Sequence, residues 1–208
     1  MTILPIVEGH GEVECIRILL ERIGYELLAE PYVEVRRPIR RPRSKLVQSS
    51  GLQDAIGLAR NKLPEARAKK RGATVLVLLD GDGDPPCELG PRLQVIAESS
   101  RPDADVVCVI AHLEYETWFV AAAESLVGHG LVLADSEEVP ADPESGSMRK
   151  NWIIQHMSGP HPGYRETLHQ ATFTAKMDLH LCRRRSPSFD KLCRELEKRR
   201  ATAPSESA

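Results

Sequence analysis

Three short acidic segments hold the residues whose types and spacing could do chemistry. Glu8 lies in VEGHGE, Asp80, Asp82 and Asp84 lie in LLDGDGDPP, and His112, Glu114 and Glu116 lie in AHLEYE. Carboxylates brought together repel one another unless a cation stands between them. All-oxygen donors select a hard ion, Mg²⁺ or Mn²⁺. Such an ion stabilises charge developing on a phosphate. A calcium loop is excluded, because counting from Asp80 puts Pro85 and Pro91 where an EF-hand needs glycine and glutamate. The plainer alternative for DGDGD is a solvated turn capping the next helix. An aspartyl-nucleophile phosphatase would carry its Asp pair after the first strand instead.

The elements around these segments decide whether the acids can meet. Residues 2–7, 32–36, 73–79 and 105–111 read as strands, the third an unbroken apolar run of the kind buried on both faces. Pro5 is an anomaly in the first strand, since proline cannot donate to a ladder. Helical spacing predicts helices over 12–24, 51–71, 87–98 and 114–126. Gly24 is the expected end of the first, and Ser50 with Gln53 the expected capping box of the second. Pro64 would divide that second helix. Strand and helix alternate through residue 126, which predicts an α/β fold with a parallel sheet flanked by helices. Each acidic segment then falls at the carboxyl end of a strand, where open α/β sheets bind ligands. A loop is expected over 128–146, helices over 147–200 with turns at 158–163 and 185–187, and a disordered tail over 201–208. The expected organisation is a core of residues 1–126, a loop and helical extension over 127–200, and the tail.

Composition narrows the class. The chain has 208 residues, 41% hydrophobic and 28% charged, with a formal net charge of -2. That balance excludes collagen-like, disordered and disulfide-framework proteins. No apolar run is long enough to span a bilayer, and no secretory signal opens the chain. Five cysteines without paired spacing read as reduced thiols, so a cytoplasmic protein with no membrane partner is expected. Charge is unevenly spread. Arg36, Arg37, Arg40, Arg41, Arg43 and Lys45 form a run without an acid. Arginine suits phosphate recognition, so this run, expected as a loop, is the candidate nucleic-acid contact. His10, between two glycines just before a helix, could donate to phosphate there.

A glutamate-glycine pair after the first strand, with DxD after a later buried strand, resembles the Toprim domain of topoisomerases, bacterial primases and OLD-family nucleases. VEGHGEVECIRILLERI, VLLDGDGDP, AHLEYETWFVAA and SPSFDKLCREL together resemble more narrowly a bacterial Toprim-like family of unknown function, found with phage-defence systems. The resemblance implies a Rossmann-like Toprim fold and phosphoryl-transfer chemistry. It implies Glu8 as a general acid/base or metal-linked residue, and Asp80 and Asp82 as metal ligands, with Asp84 beside them. Glu114, Glu116, His10 and His112 are accessory candidates. The expected activity is metal-dependent hydrolysis of DNA or RNA by a water nucleophile, with room for an ATPase partner protein. A non-catalytic module that binds nucleic acid or a partner is one alternative. A small-molecule phosphotransferase using the same acids is another.

Overall fold

The computed structural model describes residues 1–63, 73–133, 139–146, 149–158 and 163–202. Pro64, the far end of the second predicted helix and the last six residues of the expected tail lie outside these residues.

The predicted parallel α/β architecture is present. β1 (Thr2–Val7), β2 (Glu34–Val35), β3 (Ile39–Arg40), β4 (Ala73–Asp80) and β5 (Val106–Ala111) form one sheet, and every pairing is parallel. The order is β2-β1-β4-β5, with β3 pairing β1 on the same side as β2. The chain therefore moves outward from β1 and returns across it to β4. This makes the gap between β1 and β4 a topological switch point, the usual place for a ligand site.

Alternation along each strand fills two cores. Ile3, Val7, Leu76, Leu78, Val107 and Val109 face one side. There they pack with α1 (His10–Arg22), α5 (Glu116–Ala121) and three C-terminal helices, α7 (Glu166–Lys176), α8 (Leu179–Arg185) and α9 (Pro187–Thr202). Leu4, Ile6, Val75, Val77, Leu79 and Ile110 face the other side. They pack with α2 (Arg43–Leu46), α3 (Ser49–Lys62) and α4 (Pro86–Ser100). A sheet covered on both faces needs continuous apolar strands, as β4 and β5 have. The C-terminal helices thus complete a layer of the same core. Trp118 and Phe119 are buried within it.

Pro5 fits because of where the edge breaks. The carbonyls of Ile3 and Val7 accept the N–H groups of Arg36 and Arg41, so odd positions of β1 point toward β2 and β3. Pro5 lies between them, and its missing N–H faces the gap between those two short strands. The β4 ladder loses nothing.

Several local expectations are corrected. The basic stretch 36–45 is not simply a loop, since it holds β3 and α2. The first helix does not stop at Gly24 but continues as a π-turn over Ile23–Leu27, where a Cβ on Gly24 would collide with Val33. α3 begins at Ser49 after Gln48 and has no side-chain cap, so the Ser50–Gln53 capping box does not form. The C-terminal helical stretch also breaks before Asp178, whose side chain caps α8 by accepting the Leu181 N–H.

β5 is an edge strand, and Gln94 of α4 closes part of its open side. The Gln94 amide donates to the Val106 carbonyl at 2.8 Å and accepts the Cys108 N–H at 2.9 Å. All five cysteines are free thiols, and only Cys87 is exposed. Among the described residues, no helix is long and apolar enough to cross a membrane.

Candidate functional site

Glu8 ties the ends of the two central strands together. Its Oε1 accepts the backbone N–H of Asp80 at 2.6 Å. The Asp80 Oδ1 in turn accepts the N–H of Tyr115, beyond the end of β5, at 2.8 Å. The three predicted segments are therefore joined at the carboxyl edge of β1, β4 and β5.

Two turns aim this edge. Asp82 and Leu113 both have left-handed backbone, with φ of 48° and 63°, and the Asp82 N–H donates to the Leu113 carbonyl at 2.9 Å. Leucine is disfavoured in that region, and such strain tends to persist where surrounding structure fixes it. Gly83 follows with φ 94°, which glycine adopts freely.

Arg43 braces the DGDGD turn. Its guanidinium donates to the carbonyls of Asp80 and Gly81 and to the Asp84 carboxylate, and lies 3.5 Å from Asp82. Asp84 is thereby turned to Arg43 at the surface. Arg43→Ala is expected to cost about 1–3 kcal/mol by leaving those acceptors unpaired. A melting temperature unchanged from wild type would show that the brace is idle.

The sequence did not single out Glu12, yet it sits at the centre of the site. It occupies the first turn of α1, is 6% exposed, and its Oε2 has no hydrogen-bond partner. Burial, then the nearby Glu8, Glu116 and Glu166, push its carboxyl up to about 7. A Cβ on Gly9 would strike this carboxylate, and one on Gly11 would strike Gln170. The glycines of VEGHGE thus leave room for acids to gather.

Glu114 and Glu116 are each 1% exposed, so both point inward rather than merely complementing a helix dipole. Glu116 accepts from the Gln170 amide at 3.1 Å. Burial is the main cause of its raised pKa. Lys150 opposes the rise and Glu114 adds to it. Burial also raises Glu8, with Asp82 adding to the effect. Asp80 is pushed well above the usual carboxylate range by burial, then by Glu12, Glu8 and Glu116.

A lysine is packed among these acids. Lys150, in α6 (Arg149–His156), donates its ammonium to Glu166 and stands 3.8 Å from Glu114. Its backbone N–H donates to Glu114. Burial works against its charge, but Glu166, Glu116 and Glu114 outweigh that and raise its pKa. Lys150, Glu166 and Gln170 were all missed in the sequence.

Other candidates fall elsewhere. His10 is exposed at the start of α1. His112 sits outside the acidic cluster, its Nδ1 3.6 Å from Glu144. Of the basic run, Arg40 donates to the Glu8 carbonyl at 3.3 Å and Arg36 pairs with Glu34 at 3.1 Å. Arg37, Arg40, Arg41 and Lys45 are exposed, and β3 places Arg40 beside Val7.

Among the described residues, no three or more His, Cys, Asp or Glu side chains are arranged as a group able to hold a metal ion. The donor set nevertheless suits a hard cation. It is all carboxyl oxygen, it includes the unpaired and buried Glu12 Oε2, and its acids are held above their ordinary pKa by burial first and then by one another's charge.

No curated protein and no solved structure shows significant similarity to the chain. A family model does match, over residues 7–197, which include every acid of the cluster: the chain belongs to the family described as Domain of unknown function (DUF4276).

Proposed function

We propose that this protein hydrolyses phosphodiester bonds of DNA or RNA with the aid of Mg²⁺ or Mn²⁺. The observation that carries the reading is the buried carboxyl cluster at the β1/β4 switch point. Its acids repel one another, and the buried Oε2 atoms of Glu12 and Glu114 have no hydrogen-bond partner. The order of Glu8 and the Asp80–Asp82 pair along adjacent parallel strands also agrees with the Toprim resemblance.

Glu8, Glu12, Asp80 and Glu116 are the residues that would hold the ion, once drawn closer together than they stand here, with Asp82 at the rim. When bound, the ion supplies charge stabilisation at the phosphate. The protein's own groups do the rest. Lys150 offers positive charge where negative charge accumulates in the reaction. Glu8 accepts the proton of the attacking water as the new P–O bond forms; the bond to the leaving oxygen breaks, and that alkoxide takes a proton from solvent. Arg37, Arg40, Arg41 and Lys45, beside the acidic edge, hold the polymer backbone.

The test is cleavage of supercoiled DNA, single-stranded DNA and structured RNA with Mg²⁺ or Mn²⁺, comparing wild type with Glu8→Gln. Wild-type cleavage lost in the variant supports the reading. Absence of wild-type cleavage on every substrate overturns it and favours a binding module. Replacing Arg37, Arg40, Arg41 and Lys45 together by Ala is expected to weaken polymer binding and flatten its salt dependence. Unchanged binding would remove this surface from the proposal.

A further inference from the structure

A cavity lies away from the acidic cluster, along the open edge of β5. It encloses about 820 Å³ between α4 and α9, with Pro86 and Pro91 on one wall and Pro187 and Lys191 on the other. That volume falls within the range of small-molecule sites.

The floor of this cavity is a strand edge with a defined hydrogen-bonding pattern. Val75 donates to the Asp105 carbonyl and Gly81 to the Ala111 carbonyl, so odd residues of this segment face β4. Even residues face outward. Their groups are partly used: Gln94 takes the Val106 carbonyl and the Cys108 N–H, and Ser188 Oγ takes the His112 N–H. Between them, among the described residues, the Cys108 carbonyl and both the N–H and carbonyl of Ile110 have no partner, and Cys108 and Ile110 line the cavity. A backbone N–H without a partner in an apolar cavity is costly.

Gln94 shows what this edge accepts. A carboxamide presents an N–H donor beside an oxygen acceptor, and it pairs with Val106 C=O and Cys108 N–H. The pair Cys108 C=O and Ile110 N–H repeats that geometry two residues further on. The geometry points to a nucleobase ligand with an amine next to a ring nitrogen, the pattern of adenine and cytosine, seated against the open edge of β5. The amine donates to the Cys108 carbonyl and the ring nitrogen accepts the Ile110 N–H. The prolines supply flat apolar walls for the ring, and the remaining volume holds the sugar. The base comes from a free nucleoside or from a polynucleotide strand.

Binding is measured without turnover, so this inference stands or falls separately from the hydrolase reading. Adenosine, inosine, oligo(dA) and oligo(dT) would be titrated calorimetrically into the full chain in EDTA. Inosine carries a carbonyl and a ring N–H where adenosine carries the amine and the ring acceptor, so it presents the wrong pattern. The comparison variant is Gly90→Leu, since a Cβ at Gly90 meets only Ile110 Cγ1, at 3.6 Å, and the longer side chain would fill the cavity. The variant is expected to melt no lower than wild type, because leucine favours helix over glycine. Adenosine binding about tenfold or more tighter than inosine, lost in Gly90→Leu, supports a free nucleoside ligand. The same preference for oligo(dA) over oligo(dT) without adenosine binding supports the polynucleotide source. Equal affinities, no binding by any of the four, or unchanged binding in a folded Gly90→Leu protein overturns the assignment.

Discussion

Asp80→Asn is expected to remove metal-dependent cleavage while making the metal-free protein more stable. Asp80 sits among Glu12, Glu8 and Glu116, and its charge is opposed by all three. Asparagine keeps an oxygen to accept the Tyr115 N–H and removes the charge. The loss of rate is expected to be at least about a hundredfold, the scale for removing a group that stabilises reaction charge. Relief of repulsion worth about 1–2 kcal/mol would raise the melting temperature in EDTA at pH 8 by roughly 3–6 °C. The opposed signs separate this from simple damage. A variant that loses cleavage and also melts lower would mark Asp80 as a structural residue.

The metal-free protein is expected to lose stability as pH rises from about 5 to 8. Glu8, Glu12, Asp80 and Glu116 all have folded-state pKa values raised above their ordinary ones. Between the two values the folded protein binds more protons than the unfolded chain. Stability is therefore full below the ordinary carboxylate pKa and falls as pH climbs through the folded one. For Glu12 the window runs from 4.5 to about 7. At 1.36 kcal/mol per unit, that one group accounts for about 3 kcal/mol, an order-of-magnitude figure. Glu195 and Asp103 are shifted the other way, so they act only in more acid solution and do not mask the trend. If Mn²⁺ binds as proposed, it is expected at pH 8 to take over the role of the missing protons, and at a hundred times its Kd to restore about 3 kcal/mol. Urea unfolding at several pH values, with EDTA or with Mn²⁺, measures both effects. Stability that is flat or rises with pH in EDTA would contradict the carboxyl cluster.

Much of the fold was legible because β1, β4 and β5 are apolar runs buried on both faces. β2 and β3 were less so. They are two residues each, and they exist only because β1 offers an edge on either side of Pro5. Glu8, Asp80, Glu114 and Glu116 were found because they follow strands. Glu12 was overlooked because an acid early in a helix has an ordinary explanation in the helix dipole. A finer signal was present. Glu12 stands four residues before Ile16 and seven before Leu19, on the buried stripe of α1. Gln170 lies likewise on one stripe with Phe173 and Thr174 in α7. Polar residues on an apolar stripe mark a site that periodicity alone would assign to the core. Lys150 carried no such mark, since only tertiary packing brings α6 to Glu114.

That packing imposes an order in time. Glu8 and Glu12 are made well before Lys150, Glu166 and Gln170. Gln170 and Glu166 press on Gly11 only when α7 lies along α1. A nascent chain therefore carries the acids without the cation packed among them and without the helix that shields them. The cluster closes only after translation has passed α7, so a half-made or prematurely ended chain lacks an assembled site.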